Sequence, residues 1–146
     1  MADAVATNSI TLAVVWGALQ SIAVEIGTTV HKTAYSEQAR EGQDFSVAVF
    51  DPQGRMVAQG PYSPGHMGAM SAAVRNALAA HPLEQLRPGD AILHNDPLLG
   101  SGHLPDFFVT QPAFVGGRLV GFAANILHHT DAVSYTHLTL PTILRV

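Results

Sequence analysis

Leu12, Val15, Trp16, Leu19, Ile22, Ala23, Ile26 and Val30 recur at steps of three and four through SITLAVVWGALQSIAVEIGTTVHKTA. That spacing lays one apolar face along a long helix. Ser9 or Thr11 is the expected N-cap, because a hydroxyl accepts from the free N–H groups of a first turn. Gly17 and Gly27 weaken the helix intrinsically, so packing or a close backbone approach has to compensate. Beyond it, DFSVAVFDPQGRMVAQ holds two β-rich runs around Asp51-Pro52-Gln53-Gly54, which predicts a hairpin. GPYSPGH reads as a loop. MGAMSAAVRNALAAH returns to helical spacing through Met67, Met70, Val74 and Leu78, until His81-Pro82 stops it. LRPGDAILHNDP is a turn feeding a short strand, and SGHLPDFFVTQPAFVGGRLVGFAANIL predicts a loop and two strands joined at Gly116-Gly117. The expected class is α+β: a long N-terminal helix, a β-hairpin, a second helix, then further strands of a mixed or antiparallel sheet.

Composition narrows the function classes. The 146 residues suit one domain, and 47% hydrophobic against 12% charged content leaves little charge to cover a monomer's surface. The chain is therefore expected to pack against more protein. Seven scattered Lys and Arg in a net charge of −4 argue against a nucleic-acid groove. The absence of cysteine excludes disulfides, zinc ribbons and thiolate nucleophiles. The start, MADAVATNSI, lacks the basic region of a signal peptide, and Gln20, Ser21 and Glu25 make the first apolar run read as too polar and short for a membrane span. A soluble cytoplasmic protein with no membrane partner is the expectation.

Four polar clusters stand at the edges of apolar runs: Arg40–Asp44, His94–Asp96, Ser101–Asp106 and His128–Asp131. Loops at strand ends are where a rigid scaffold presents functional groups. In GSGHLPD, the glycines around Ser101 free the backbone, and His103 and Asp106 can close on one divalent ion; a polar turn ahead of a strand is the plainer alternative. In HHTD, adjacent histidines on a strand point to opposite faces, so at most one reaches a given ion. Asp131 is placed to ligate or to orient an imidazole. HNDP offers Asx-turn chemistry. His31, His66 and His81 read as surface or loop residues, with His66 in SPGHMG left open. No phosphate loop, dinucleotide fingerprint or nucleophile elbow occurs, so any ATP has to be bound by another chain.

Together these stretches resemble the hydantoinase B/5-oxoprolinase family, which includes subunits of acetone and acetophenone carboxylases. The resemblance rests on HKTAYS at the end of the first helix, REGQDFSVAVFDPQGRMVAQ, SPGHMGAM, RPGDAILHNDPLLGSGHLPDFFVTQPAF and GFAANILHHTDA. It implies ATP-dependent opening of cyclic amides such as hydantoins or 5-oxoproline, or carboxylation of ketones. An A-type subunit or domain would handle ATP, and the B type would complete the reaction. Position by position, it implies Glu41, His103, Asp106 and His128 as ligands of a divalent metal (Mn, Fe or Zn), with Asp44, His129 and Asp131 as catalytic candidates. Two alternatives differ in class: an ATP-independent metal hydrolase of cyclic amides, and a metal-free assembly module that binds an A-type subunit. Gly42-Gln43 replaces the family's usual basic residue after Glu41.

Family members continue for several times this length, and Ala132-Val133 stands where a glycine pair normally follows HHxD. VSYTHLTLPT resembles one reading frame of a shotgun-library transposase adapter, GTC TCT TAT ACA CAT CTG ACG CTG CCG ACG, over Val133–Thr142. Residues 1–132 are thus expected to be the N-terminal part of an incomplete catalytic domain, and 133–146 an adapter-derived tail. His137 is then no ligand. The tail should pack poorly, and apolar faces of the first helix should stay exposed.

Overall fold

The computed structural model describes residues 8–100, 103–130 and 142–145, the last four by their backbone alone. Helix α1 (Ser9–Thr33) is followed by the short α2 (Glu37–Arg40), strands β1 (Phe45–Phe50) and β2 (Met56–Gln59), and helix α3 (Pro64–Ala80). Strands β3 (Asp90–His94), β4 (Asp106–Val115) and β5 (Arg118–His128) complete an antiparallel sheet in the order β2-β1-β5-β4-β3. The α+β expectation holds, with the sheet antiparallel rather than mixed.

Strand β1 lies inside the sheet, between β2 and β5. Its residues alternate between two packed faces, which is why FSVAVF is apolar almost throughout. Ala48 and Phe50 join Phe108, Phe122, Ala124 and Ile126 under α3, which contributes Met70, Ala73, Val74 and Ala77. Phe45 and Val47 point the other way, toward Ile26 and Val30 of α1 and toward Ala39 of α2. The two long helices therefore cover opposite faces. The β4–β5 turn sits at Gly116 and Gly117, with φ of 57° and 77°, a left-handed pair that glycine adopts without a Cβ clash.

Several local expectations change. The cap of α1 is Asn8, whose side chain accepts from Thr11 N at 2.8 Å. An amide oxygen serves as well as a hydroxyl there. Helix α3 starts at Pro64 inside the expected loop, since proline's missing N–H is no loss in a first turn. Over its 25 residues α1 is long and apolar enough to cross a membrane by length and composition, so it is not too short. Its buried positions, Ala23 and Gly27, are small residues, and Ile26 and Val30 pack beside the sheet residues Phe45 and Val47. Exposed Ile10, Leu12, Val14, Val15 and Trp16 match the expectation of uncovered apolar surface.

Of the tail, Thr142–Arg145 forms strand β6, paired antiparallel to the outer edge of β3. This pairing is described by backbone alone, and the packing of the tail's side chains lies outside the described residues. The outer edge of β3 offers unpaired N–H and C=O groups to any extended segment. His137 and the rest of 131–141 lie outside the described residues.

Candidate metal centre

The site forms where β4 begins and β5 ends, because Asp106 and His128 are direct cross-strand partners. A β-bulge sets that register. Phe114 pairs with Leu119 but Ala113 with Gly121, leaving Val120 as the extra residue. Without it the same hairpin would place Leu127 opposite Asp106 and turn His128 to the other face. Backbone bonds then fasten neighbouring loops to this corner: His128 N donates to Asp44 O at 3.1 Å, and His129 N to Pro105 O at 2.8 Å. Ser36, the cap of α2, donates from Oγ to His128 O at 3.0 Å. From the other side, Ser46 Oγ donates to Ser63 O at 2.5 Å, pinning the residue ahead of α3 to β1.

Asp106 is the hub. Its carboxylate is buried, 1% exposed, and Oδ1 lies 2.7 Å from His103 Nε2 and 3.0 Å from His128 Nδ1. Burying a carboxylate without such partners costs several kcal/mol, roughly 3–5 when one partner is removed. His103, Asp106 and His128 each offer one ligand atom, and these atoms lie within 4.8 Å of one another. Two imidazoles and a carboxylate are a donor set for Mn, Fe or Zn.

Three of the four expected ligands are thus brought together. Glu41 is not part of the group; it is exposed at the C-terminal end of α2. Asp44 approaches, with Oδ2 3.9 Å from His128 Nδ1, and also lines a cleft of about 600 Å³ with Gln38, Gln43, Tyr62 and Ser63. Gln43, at φ 50°, holds the left-handed turn before it. His129 turns its Nδ1 to Thr130 O and sets its ring against the Phe107 edge at 5.4 Å. Asp131 lies outside the described residues. In the His94–Asp96 cluster, Asn95 Nδ2 donates to Leu104 O at 3.0 Å and bridges to the His103–Asp106 loop, while Asp96 Oδ1 accepts from Leu98 N at 2.9 Å, the expected Asx turn.

One residue was not singled out by its sequence context. His66, in the first turn of α3, stands with Nε2 3.6 Å from Asp44 Oδ1 and 3.7 Å from Asp106 Oδ2. Pro64 at the helix start was the available signal, since it turns SPGH from loop into first turn.

The family model for hydantoinase B/oxoprolinase matches residues 8–141, running past the expected domain end at Ala132. 5-Oxoprolinase 1 of Arabidopsis thaliana is 42% identical over 120 residues, 82% of this chain and 9% of that protein. The structure of ATP-dependent caprolactamase from Pseudomonas jessenii aligns over 97% of this chain and 27% of its own, at 29% identity and a TM-score of 0.76. Nucleotide-free acetone carboxylase shares the fold at a TM-score of 0.70 and 24% identity, over 82% of this chain and 16% of its own. The chain spans about a tenth of the length of the 5-oxoprolinases it matches.

Proposed function

The chain belongs to the hydantoinase B/oxoprolinase family, and from that membership we propose that it is part of a B-type domain that opens cyclic amides, hydantoins or 5-oxoproline, with ATP and a divalent ion. The observation that carries this reading is the convergence of His103 and His128 on the buried Asp106. In the proposal these three hold Mn, Fe or Zn, with Glu41 as a further ligand. When bound, such an ion polarises a carbonyl or makes water a nucleophile near neutral pH. Asp44, at the cleft, orients the amide or accepts a proton from the attacking water; His129 and Asp131 stay candidates for substrate contact. ATP is used by an A-type subunit or domain, which is the partner. The relatives' names, 5-oxoprolinase and ATP-dependent caprolactamase, favour cyclic amides over the alternative of ketone carboxylation. A metal-free assembly module gives no reason for imidazoles to surround a buried carboxylate.

Metal analysis of the purified chain tests the site. His103→Ala and His128→Ala should each lose most of the bound metal, and unchanged content in both defeats the ligand assignment. For the reaction, a full-length relative with its A-type partner should open a hydantoin or lactam only with ATP. Opening without ATP defeats the ATP-coupled class. The proposal also keeps residues 133–146 outside the domain as adapter-derived sequence, although the family match continues to residue 141. Codons other than the adapter's behind Val133–Thr142 would return the tail to the protein.

A further inference from the structure

His66 has a place in the centre that its sequence context does not announce. It belongs to a 17-residue helix, yet its side chain is 13% exposed and leans out of the first turn toward two carboxylates. Its Nδ1 is buried with no hydrogen-bond partner among the described residues. Buried polar atoms rarely go unpaired, and one that does calls for an explanation in what the rest of the ring is doing. The ring's other nitrogen supplies it. Nε2 lies between Asp44 Oδ1 and Asp106 Oδ2, at nearly equal distances of 3.6 and 3.7 Å. Asp106 therefore meets His103 and His128 through Oδ1 and His66 through Oδ2.

The histidine is also held from behind. Ser63 N donates to Phe45 O at 3.0 Å and Ser46 Oγ to Ser63 O, so the start of α3 is tied to the strand that follows Asp44. Small movements of the helix start are thereby coupled to the Asp44 loop and to the end of β5.

Resting on the metal reading above, we propose that His66 is a positioning residue of the centre. Its Nε2 stands 3.7 Å from the outer oxygen of Asp106, beyond hydrogen-bond length, and in the proposal closes that gap to hold the oxygen once Oδ1 faces the ion. It also joins that carboxylate to Asp44, the acidic group at the cleft. A carboxylate ligand whose second oxygen is restrained loses less freedom on binding, and removing such an outer partner typically weakens metal affinity about 10–100-fold.

The test is a cobalt(II) titration of the 146-residue chain, read by calorimetry and by the visible band of the bound ion. His66→Met keeps the volume and removes the N–H; His66→Gln keeps an amide N–H near the position of Nε2. The expected result is a 10–100-fold weaker cobalt affinity for His66→Met at unchanged circular dichroism, with His66→Gln recovering most of the loss. Wild-type affinity in His66→Met overturns the proposal and leaves the metal reading standing. Equal weakening in both variants also overturns it, since the histidine would then serve packing alone. A wild-type chain that binds no cobalt overturns the metal reading and this proposal together. If His66→Met does not fold, the ratio of His66→Gln to wild type decides, and a weakening beyond about 10-fold in it counts against the N–H role.

Discussion

The sheet's two faces are covered unequally. Under α3, Phe50, Met70, Ile92, Phe108, Phe122 and Ile126 are all at most 2% exposed. Under α1, Phe45 and Val47 are buried, but the helix places only Ala23 and Gly27 fully against them. Ile26 and Val30 pack beside them, while apolar side chains nearer the helix start face outward, Trp16 at 54% exposure and Val14 at 67%. Both helices read as apolar stripes. The difference lies in what each meets: α3 lies on a sheet face that receives large side chains from four strands, whereas α1 touches mainly β1 and β2. Apolar spacing predicts that a face will be covered, and tertiary structure decides by what. The polar centre stands at the rim of the well-covered face, where packed neighbours hold Asp106 and His66 away from water.

The largest expected effect breaks this comparison if it fails. Phe122→Ala, on the α3 face, should cost about 3–5 kcal/mol in urea denaturation, from lost burial and the cavity left behind. Trp16→Ser should shift stability by no more than about 0.5 kcal/mol, since an exposed side chain loses little on truncation. Similar losses in the two variants would mean that α1 is covered in solution.

A smaller effect concerns a close approach on the weaker face. A Cβ at Gly27 would meet the ring of Tyr62. That ring packs on Phe45 at 4.5 Å between centroids and donates to Val24 O at 3.3 Å. Gly27→Val should cost about 1–3 kcal/mol through this overpacking, again read by urea denaturation. A neutral result would show that α1 does not sit tightly on the sheet.

Much of this architecture could be read along the chain. The alternation in β4, the Gly116-Gly117 turn and the spacing of Met67, Met70 and Val74 each reflect a local rule that the fold obeys. Helix α2 was not legible, because four residues carry no period. The centre was legible in part. His103 and Asp106 are three residues apart and meet through their own loop. Asp106 and His128 meet only because Val120 is an extra residue in the hairpin, and a bulge has no composition of its own beyond the neighbouring Gly121. The approach of His66 to Asp44 spans 22 positions and depends on Ser46 and Ser63 docking α3 onto β1. No periodicity reports such a contact.

His94 sharpens the comparison through pH. It stacks on Phe108 at 4.9 Å on the covered face, and burial holds its pKa below the usual 6.5, against the opposing charge of Asp96. A depressed folded value means that the unfolded chain takes up the proton first. The associated stability is present above about 6.5 and is lost as pH falls through the folded value. His94→Phe should therefore flatten the fall of the urea midpoint between about pH 7 and 5 relative to wild type. An unchanged slope would mean that the imidazole is solvated and that this face is less closed than its packing implies.

A further small effect has the opposite sign. Gly17 lies in the same helix as Gly27, but a Cβ there would meet nothing within 4 Å. Alanine costs the folded helix no contact and removes conformational freedom from the unfolded chain, so Gly17→Ala should stabilise by about 0.5–1 kcal/mol. The two glycines then divide α1 by function: the one near its C-terminal half admits Tyr62, and the one near its N-terminal half faces open space. If Gly17→Ala destabilises the chain in urea, something packs on that stretch of α1, and its uncovered apolar face would have to be redrawn as an interface already filled.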